Sequence, residues 1–250
     1  MPVGLTGSGR DDAAVLALAP VPADKVQRRA ASCRRIERMN TCGISGVVLA
    51  GGLGRRMGGV DKGLQEFEGR PLVGWVIERL APQVDELLIN ANRNAERYAA
   101  FGHRVVADRI EGFAGPLAGL HAALSVARHP LLATVPCDSP FLPGDLVARL
   151  RAALDASGAE LAVATSLGRV QPVFCLCRRT VLPALSEHLA AGGRRIERWL
   201  NSLRLVEVGF EDQPAAFANL NSSEDLQGGA RVAAPRRCPQ GSSCSDAGRQ

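Results

Sequence analysis

From Gly43 onward the chain alternates between short, dense apolar runs and longer stretches with apolar residues at helical spacing. Gly43–Ala50 is a β-branched run ending in glycines, which reads as a buried strand entering a loop. Pro71–Leu80 opens on a proline suited to a first helical position and continues with Leu72, Trp75, Val76 and Leu80 at helical spacing. The same reading predicts strands at Val84–Asn90, Arg104–Ala107, Leu131–Val135, Glu160–Thr165, Pro172–Cys177 and Leu203–Val208. It predicts helices at Asn94–Ala100, Pro116–Arg128, Pro143–Ala156, Thr180–Leu189 and Arg194–Asn201. In the helix from Pro116, Leu117, Leu120, Leu124 and Ala127 share a face. This rhythm implies an α/β fold: three layers, α/β/α, around a mostly parallel sheet with right-handed crossovers. Ligands of such sheets bind at the carboxyl ends of the strands. That rule gathers the loops after Ala50, Asn90, Ala107 and Val135 around one site.

The ends of the chain lack this rhythm. Residues 1–38 mix Gly, Pro and Ala with a basic run (Arg28, Arg29, Arg34, Arg35, Arg38) and read as a poorly ordered extension. Met39, just ahead of the first strand, reads as the true start of translation, which N-terminal sequencing of the native protein tests. Residues 228–250 are rich in Gly, Ser, Pro and Arg and read as a disordered tail. The domain is therefore expected to occupy residues 39–227. The apolar residues near Ala13–Ala19 follow Asp11 and Asp12 rather than a basic region, so no signal peptide is expected. Nothing approaches the roughly 18 apolar residues of a membrane span, so the expected compartment is the cytoplasm, with no membrane partner.

Charge changes the picture once it is located. The chain carries 30 Lys/Arg and 25 Asp/Glu, a net +5. Residues 1–38 hold seven basic and four acidic residues, and residues 228–250 hold four and one; removing both sets leaves 19 basic and 20 acidic. The excess sits in the ends. No basic stripe with interleaved aromatics remains to bind nucleic acid. The seven cysteines are odd in number and form no CxxC pair, as expected of reduced thiols. Cys175 and Cys177, two apart on a strand, share a face: core residues or surface residues together, with a copper or zinc role as the minor alternative.

The strongest chemical signal runs from Leu49 to Lys62 and contains five glycines. Successive backbone N–H groups of such a loop form an anion-binding nest, and Arg55, Arg56 and Lys62 add charge suited to phosphate oxygens. It is not a P-loop, because Lys62 lies between Asp61 and Gly63. It is not a dinucleotide fingerprint, because Met57 stands where the third glycine belongs.

Asp138, in Pro136-Cys137-Asp138-Ser139-Pro140, follows a buried strand, where a carboxylate suits Mg²⁺ shared with substrate phosphates; a turn or helix-cap role is the alternative. Asp108 follows the strand Arg104–Ala107 and could meet base, ribose or metal. Asn90 could bond a base or ribose, or merely form a turn. Gly112–Gly119 is a second glycine loop entering a helix, over a nucleotide or simply a tight turn. Asn219 and Asn221 present two amides on one side of an extended segment, to hold a second substrate or to cap a following helix. Arg194 and Arg195 are anion ligands or a solvated helix face.

Four motifs in order, LAGG-x-G-x-RMGG-x-DKGL at Leu49–Leu64, GPLAGL at Gly115–Leu120, PCDSP at Pro136–Pro140 and N-x-N at Asn219–Asn221, resemble the molybdenum cofactor guanylyltransferase (MobA) family. The resemblance runs from about Gly43 to Leu226. The first motif alone indicates the wider sugar-phosphate nucleotidyltransferase group; the set is specific to molybdopterin enzymes. The resemblance implies a Rossmann-like nucleotidyltransferase fold of the nucleotide-diphospho-sugar transferase type, and transfer of GMP from GTP to molybdenum-bearing molybdopterin with release of pyrophosphate. It implies GTP contacts from Leu49, Ala50, Gly51, Lys62, Asn90, Asp108 and Asp138, with Asp138 also on Mg²⁺, and Asn219 and Asn221 on the molybdopterin side. The acceptor phosphate is already a nucleophile, so catalysis reduces to positioning and charge stabilisation by Mg²⁺, Lys62 and Arg56. Hand-off of the product implies transient contact with molybdopterin-handling proteins and molybdoenzymes. A molybdopterin cytidylyltransferase or a sugar-1-phosphate nucleotidyltransferase of the same fold is the alternative.

Overall fold

The computed structural model describes residues 43–50, 61–110 and 115–220. In chain order the strands are β1 (Ile44–Leu49), β2 (Glu66–Phe67), β3 (Arg70–Pro71), β4 (Glu86–Asn90), β5 (Arg104–Val106), β6 (Leu131–Pro136), β7 (Leu161–Ser166), β8 (Arg169–Arg178) and β9 (Leu205–Gly209). The helices are α1 (Leu72–Leu80), α2 (Ala95–Ala99), α3 (Pro116–Val126), α4 (Leu146–Ser157), α5 (Leu182–Ala190) and α6 (Ile196–Leu200). β2 and β3 form a small hairpin; the other seven strands make one sheet in the order β5-β4-β1-β6-β8-β7-β9.

Consecutive strand residues face opposite helical layers. Val47 and Val48 are both fully buried but belong to different apolar clusters, as do Leu88 and Ile89, and Leu132 and Ala133. A strand covered on both sides needs apolar residues at successive positions, which is why β1, β4 and β6 read as continuous runs. One layer packs Val73, Val76, Ile77 and Leu80 of α1 and Leu146, Leu150 and Leu154 of α4 on the sheet. The other packs Leu117, Leu120 and Leu124 of α3 with Leu185 and Leu189 of α5. Ala127 joins that cluster, so the face expected from spacing is the buried one.

β8 departs from the parallel rule. It runs antiparallel to both β6 and β7, whereas the other neighbouring pairs are parallel. β7 and β8 are joined by Leu167 and Gly168 alone, both left-handed at φ 51° and 67°. A two-residue connection of this kind makes a hairpin, since a parallel crossover needs a dozen or so residues. β8 also begins at Arg169, ahead of the expected Pro172. Its register against β7 then jumps: Val163 pairs with Cys175, but the next residue, Ala164, pairs with Gln171. Pro172, Val173 and Phe174 are the extra residues of that bulge. Pro172 has no N–H to give a ladder, which favours a break there.

The start of α1 also differs from the expectation. Pro71 keeps an extended ψ of 139° and pairs with Glu66 in the small hairpin. The amide of Leu72 donates to the Gln65 carbonyl at 2.9 Å, so the hairpin claims it and the helix starts one residue later. The hairpin is held by edge-on aromatic contacts of Phe67 with Trp75 (6.2 Å between centroids) and with Phe141 (5.9 Å). Leu220 is buried in the same cluster.

Strand order places the site. β5, β4, β1 and β6 are adjacent and parallel, so their carboxyl ends share one edge of the sheet. Running the other way, β8 brings its first residues to that edge.

Candidate functional site

A cavity of about 350 Å³ lies across these strand ends. Leu49, Asn90, Asp108, Pro136 and Asp138 line it from the ends of β1, β4, β5 and β6, Gly115 and Pro116 from the start of α3, and Asn219 from the segment beside the Asp138 turn. The volume is that of a small-molecule site. The described carboxyl ends of these four strands therefore do meet at one cavity.

The strand ends are clipped together by backbone bonds. The Ala50 amide donates to the Asn90 carbonyl at 2.8 Å, and the Cys137 amide donates to the Leu49 carbonyl at 3.1 Å. Asn90 is 2% exposed, and its Nδ2 donates both to the Val106 carbonyl (3.1 Å) and to Asp108 Oδ1 (2.9 Å). Asn92 completes the clamp: its Nδ2 donates to Asp108 Oδ2 at 2.7 Å, and its Oδ1 accepts from the Asp108 amide at 2.8 Å. Asp108 is thus oriented by two asparagines, of which sequence reading singled out only Asn90. The N-x-N spacing of Asn90 and Asn92 was the available signal.

Asp138 and Lys62 meet from distant parts of the chain. Lys62 begins a 3₁₀ turn, Lys62–Leu64, and its Nζ donates to Asp138 Oδ2. Their side chains are 23% and 14% exposed, so the pair is largely shielded from water. Asp138 Oδ1 is buried with no hydrogen-bond partner. A buried carboxylate oxygen without a donor is a costly feature unless something electropositive comes to it. With one oxygen on an ammonium and the other unsatisfied at the cavity wall, Asp138 has the chemistry of a ligand for a hard divalent cation. Among the described residues there is no group of three or more His, Cys, Asp or Glu able to cage a metal by themselves. A cation held here would draw its remaining oxygens from substrate and water.

The turn that carries Lys62 is anchored from α2. The Tyr98 hydroxyl donates to Asp61 Oδ1, and Asn94 Nδ2 donates to Asp61 Oδ2 at 2.9 Å. Tyr98 is fully buried. Burial above all, and then the bond to Asp61, push its hydroxyl pKa well above the usual phenol value. Gly63 fits closely beneath it, since a Cβ there would lie 2.6 Å from the Tyr98 hydroxyl. Asp61 belongs to the first motif, whereas no motif marks Tyr98.

Asn219 Oδ1 accepts from Ser139 Oγ at 2.6 Å, and the Leu220 amide donates to the Asp138 carbonyl at 3.0 Å. The segment is so stitched to the Asp138 turn, with Leu220 as its apolar anchor. Gln171, Pro172, Val173 and Phe174 of the β8 bulge also line the cavity. No motif marked them. Arg194 and Arg195 are exposed at the start of α6 and do not line the cavity. Gly51, Arg55, Arg56 and Asn221 lie outside the described residues. The three described cysteines, Cys137, Cys175 and Cys177, are buried and free. Cys175 and Cys177 both face the α3 and α5 layer, as their spacing required, and are core residues. Among the described residues no helix is long and apolar enough to cross a membrane.

The fold is similar to that of the molybdopterin-guanine dinucleotide biosynthesis protein A from Archaeoglobus fulgidus (TM-score 0.63, 23% identity, covering 74% of this chain and 95% of that one). It is also similar to that of 4-diphosphocytidyl-2C-methyl-D-erythritolsynthase from Anaerococcus prevotii (TM-score 0.59, 13% identity, 76% and 95% covered). The mostly parallel seven-stranded sheet is thus a fold shared with these solved structures. In sequence, residues 46–207 match the MobA-like NTP transferase domain. The chain is 52% identical over 189 residues to the molybdenum cofactor guanylyltransferase of Cupriavidus taiwanensis, covering 74% of this chain and 94% of that protein. It is 48% identical over 187 residues to the protein of the same name from Shewanella halifaxensis, covering 75% and 94%. The chain belongs to the MobA-like NTP transferase family and is a nucleotidyltransferase.

Proposed function

We propose that the chain transfers GMP from GTP to the terminal phosphate of molybdenum-bearing molybdopterin, forming the guanine dinucleotide form of the cofactor and releasing pyrophosphate. The observation that carries this reading is the Lys62–Asp138 pair at the cavity wall, in a chain about half identical to proteins of that name. An oxygen of the acceptor phosphate attacks the α-phosphorus of GTP, and the bond to the bridging oxygen of the pyrophosphate breaks. The nucleophile is already anionic, so no side chain need remove a proton.

The residues divide the work. Leu49, Ala50 and Gly51 bring backbone to the nucleotide, with Ala50 held by its bond to Asn90. Asn90 and Asp108 face the nucleoside, pre-oriented by Asn92 so that little is spent on ordering them at binding. Lys62, with Arg56, neutralises phosphate charge as it builds up on the leaving group. Asn219 and Asn221 take the acceptor side. Asp138 would hold Mg²⁺ through its unsatisfied Oδ1. When bound, that ion supplies charge neutralisation and alignment of the phosphates. The reading places the enzyme in the cytoplasm, its catalytic domain within residues 39–227, with transient partners among molybdopterin-handling proteins and molybdoenzymes.

The test is pyrophosphate release with molybdopterin as acceptor, comparing GTP, CTP and UTP at equal magnesium. Release with GTP alone is expected. Preference for CTP would make the chain a cytidylyltransferase, and activity with a sugar phosphate but not molybdopterin would assign the other branch of the fold.

A further inference from the structure

A second cavity, of about 450 Å³, lies under the β7–β8 turn. Ser166, Leu167, Arg169 and Gln171 form one wall; Pro214 and Phe217 form the other. Gln171 also lines the first cavity, and Asn219 of the first cavity follows Ala218 of the second. The two spaces are therefore neighbours across Gln171 and the segment at 218–219.

Two residues of this cavity, Ser166 and Leu167, have features that lack a purpose within the fold. Ser166 is 2% exposed, and its hydroxyl is buried without a hydrogen-bond partner. A buried hydroxyl with no partner is costly unless a ligand or water completes it. Leu167 is 72% exposed, one of two exposed large apolar side chains among the described residues, and it lines this opening. Leu167 also sits at φ 51°, where Gly, Asn or Asp would serve the turn better. A leucine that is exposed and in a left-handed conformation is held against both preferences, the Glu211 carboxylate pinning its amide at 2.8 Å.

The lining chemistry selects a ligand. Among the residues that line it, Arg169 is the only charged one. One guanidinium, one hydroxyl and one amide, between the faces of Phe217, Pro214 and Leu167, make a poor phosphate site, which collects several cations or backbone amides. They suit a neutral planar heterocycle with donors and acceptors along its edge. We propose that this cavity is the ring subsite of the acceptor: it takes the amide-bearing edge of a pterin, with Ser166 and Arg169 on that edge, Leu167 and Phe217 on the faces, and Gln171 at the junction where the acceptor passes toward Asp138. The assignment rests on molybdopterin being the acceptor. It makes the β7–β8 turn the specificity element for that acceptor.

The test uses the full chain and free pterin (2-amino-4-oxopteridine), whose fluorescence reports binding, alongside separate titrations with GTP. Arg169→Ala and Leu167→Asn are exposed changes that leave the core intact. Each is expected to weaken pterin binding roughly tenfold, the worth of one charge-assisted hydrogen bond or one buried apolar contact, and to raise KM for molybdopterin while kcat and GTP affinity stay unchanged. Native-like pterin binding in both variants, or no pterin binding by the native chain, overturns the subsite. Pterin binding lost in the variants, with no pyrophosphate released by the native chain from GTP and molybdopterin, keeps the subsite and overturns the proposed reaction. Pyrophosphate release with an unaltered molybdopterin KM in both variants does the reverse.

Discussion

The ammonium of Lys62 donates to Oδ2 of Asp138 across 76 residues of sequence, leaving Oδ1 of the same carboxylate buried and unsatisfied. The pair joins the end of the first glycine loop to the end of β6. Lys62→Ala is expected to lower kcat/KM by a hundredfold or so: a charged hydrogen bond contributes roughly 1.5–3 kcal/mol in the ground state, and more where charge develops. Unchanged turnover in a folded variant would refute the role. Asp138→Asn should both lower activity and shift the magnesium titration to higher concentration. A normal titration curve would count against a metal at this carboxylate.

Gly119 tests the nucleoside side. It lies inside α3, where alanine ordinarily adds about 1 kcal/mol to a helix. A Cβ there would come within 2.3 Å of Asn90 Oδ1 and 2.9 Å of Leu49 Cδ2. Asn90 cannot simply swing away, because its Nδ2 is committed to Val106 and Asp108. Gly119→Ala is expected to raise KM for GTP about tenfold or more, with a melting temperature near that of the native chain. A KM within a factor of two would show that Asn90 has room to yield.

Tyr98→Phe removes a single hydroxyl from a fully buried ring and leaves Asp61 with the Asn94 amide. The loss should be about 1–3 kcal/mol of stability, as for a buried acceptor deprived of a donor. The turn carrying Lys62 should loosen with it. Turnover is expected to fall several-fold even at temperatures where the variant is fully folded by circular dichroism. A stability loss with native kcat would confine Tyr98 to packing.

The thiols offer a check independent of activity. Burial raises the Cys175 pKa to about 11, despite the opposing hydrogen bond with Thr134. Burial likewise pushes Cys177 well above its ordinary value, and Cys137 too, the latter reinforced by the charge of Asp138. Only the thiolate alkylates. At pH 8 about one Cys175 in a thousand is ionised. Iodoacetamide followed by peptide mapping should leave all three unmodified in native protein and label them in denaturant. Rapid native labelling of Cys175 would contradict its place between β6 and β7.

Much of this architecture is legible along the chain, for a physical reason. Which residues are buried is written in local periodicity, because a strand covered on both faces must be apolar at successive positions, as at Val47–Val48, and a helix must be apolar on one face, as at Leu117, Leu120 and Leu124. The position of the cavity also follows from the strand-end rule, so Leu49, Asn90, Asp108 and Asp138 could be grouped before any coordinates. Local pattern carries no register, however. The reversal of β8 is set locally by the two-residue turn at Leu167 and Gly168, which no turn motif marked, whereas its bulge at Pro172–Phe174 and its pairing with β6 depend on which strands meet, a choice settled by long-range packing. The partners of the grouped residues are of the same kind. That Asp138 meets Lys62, that Tyr98 holds Asp61, and that Gln171 stands between two cavities are contacts between segments dozens of residues apart. Sequence alone determined the layers and the sheet edge at which the cavity lies; the tertiary structure decided which side chains face each other there, because only the closed sheet brings them within bonding distance.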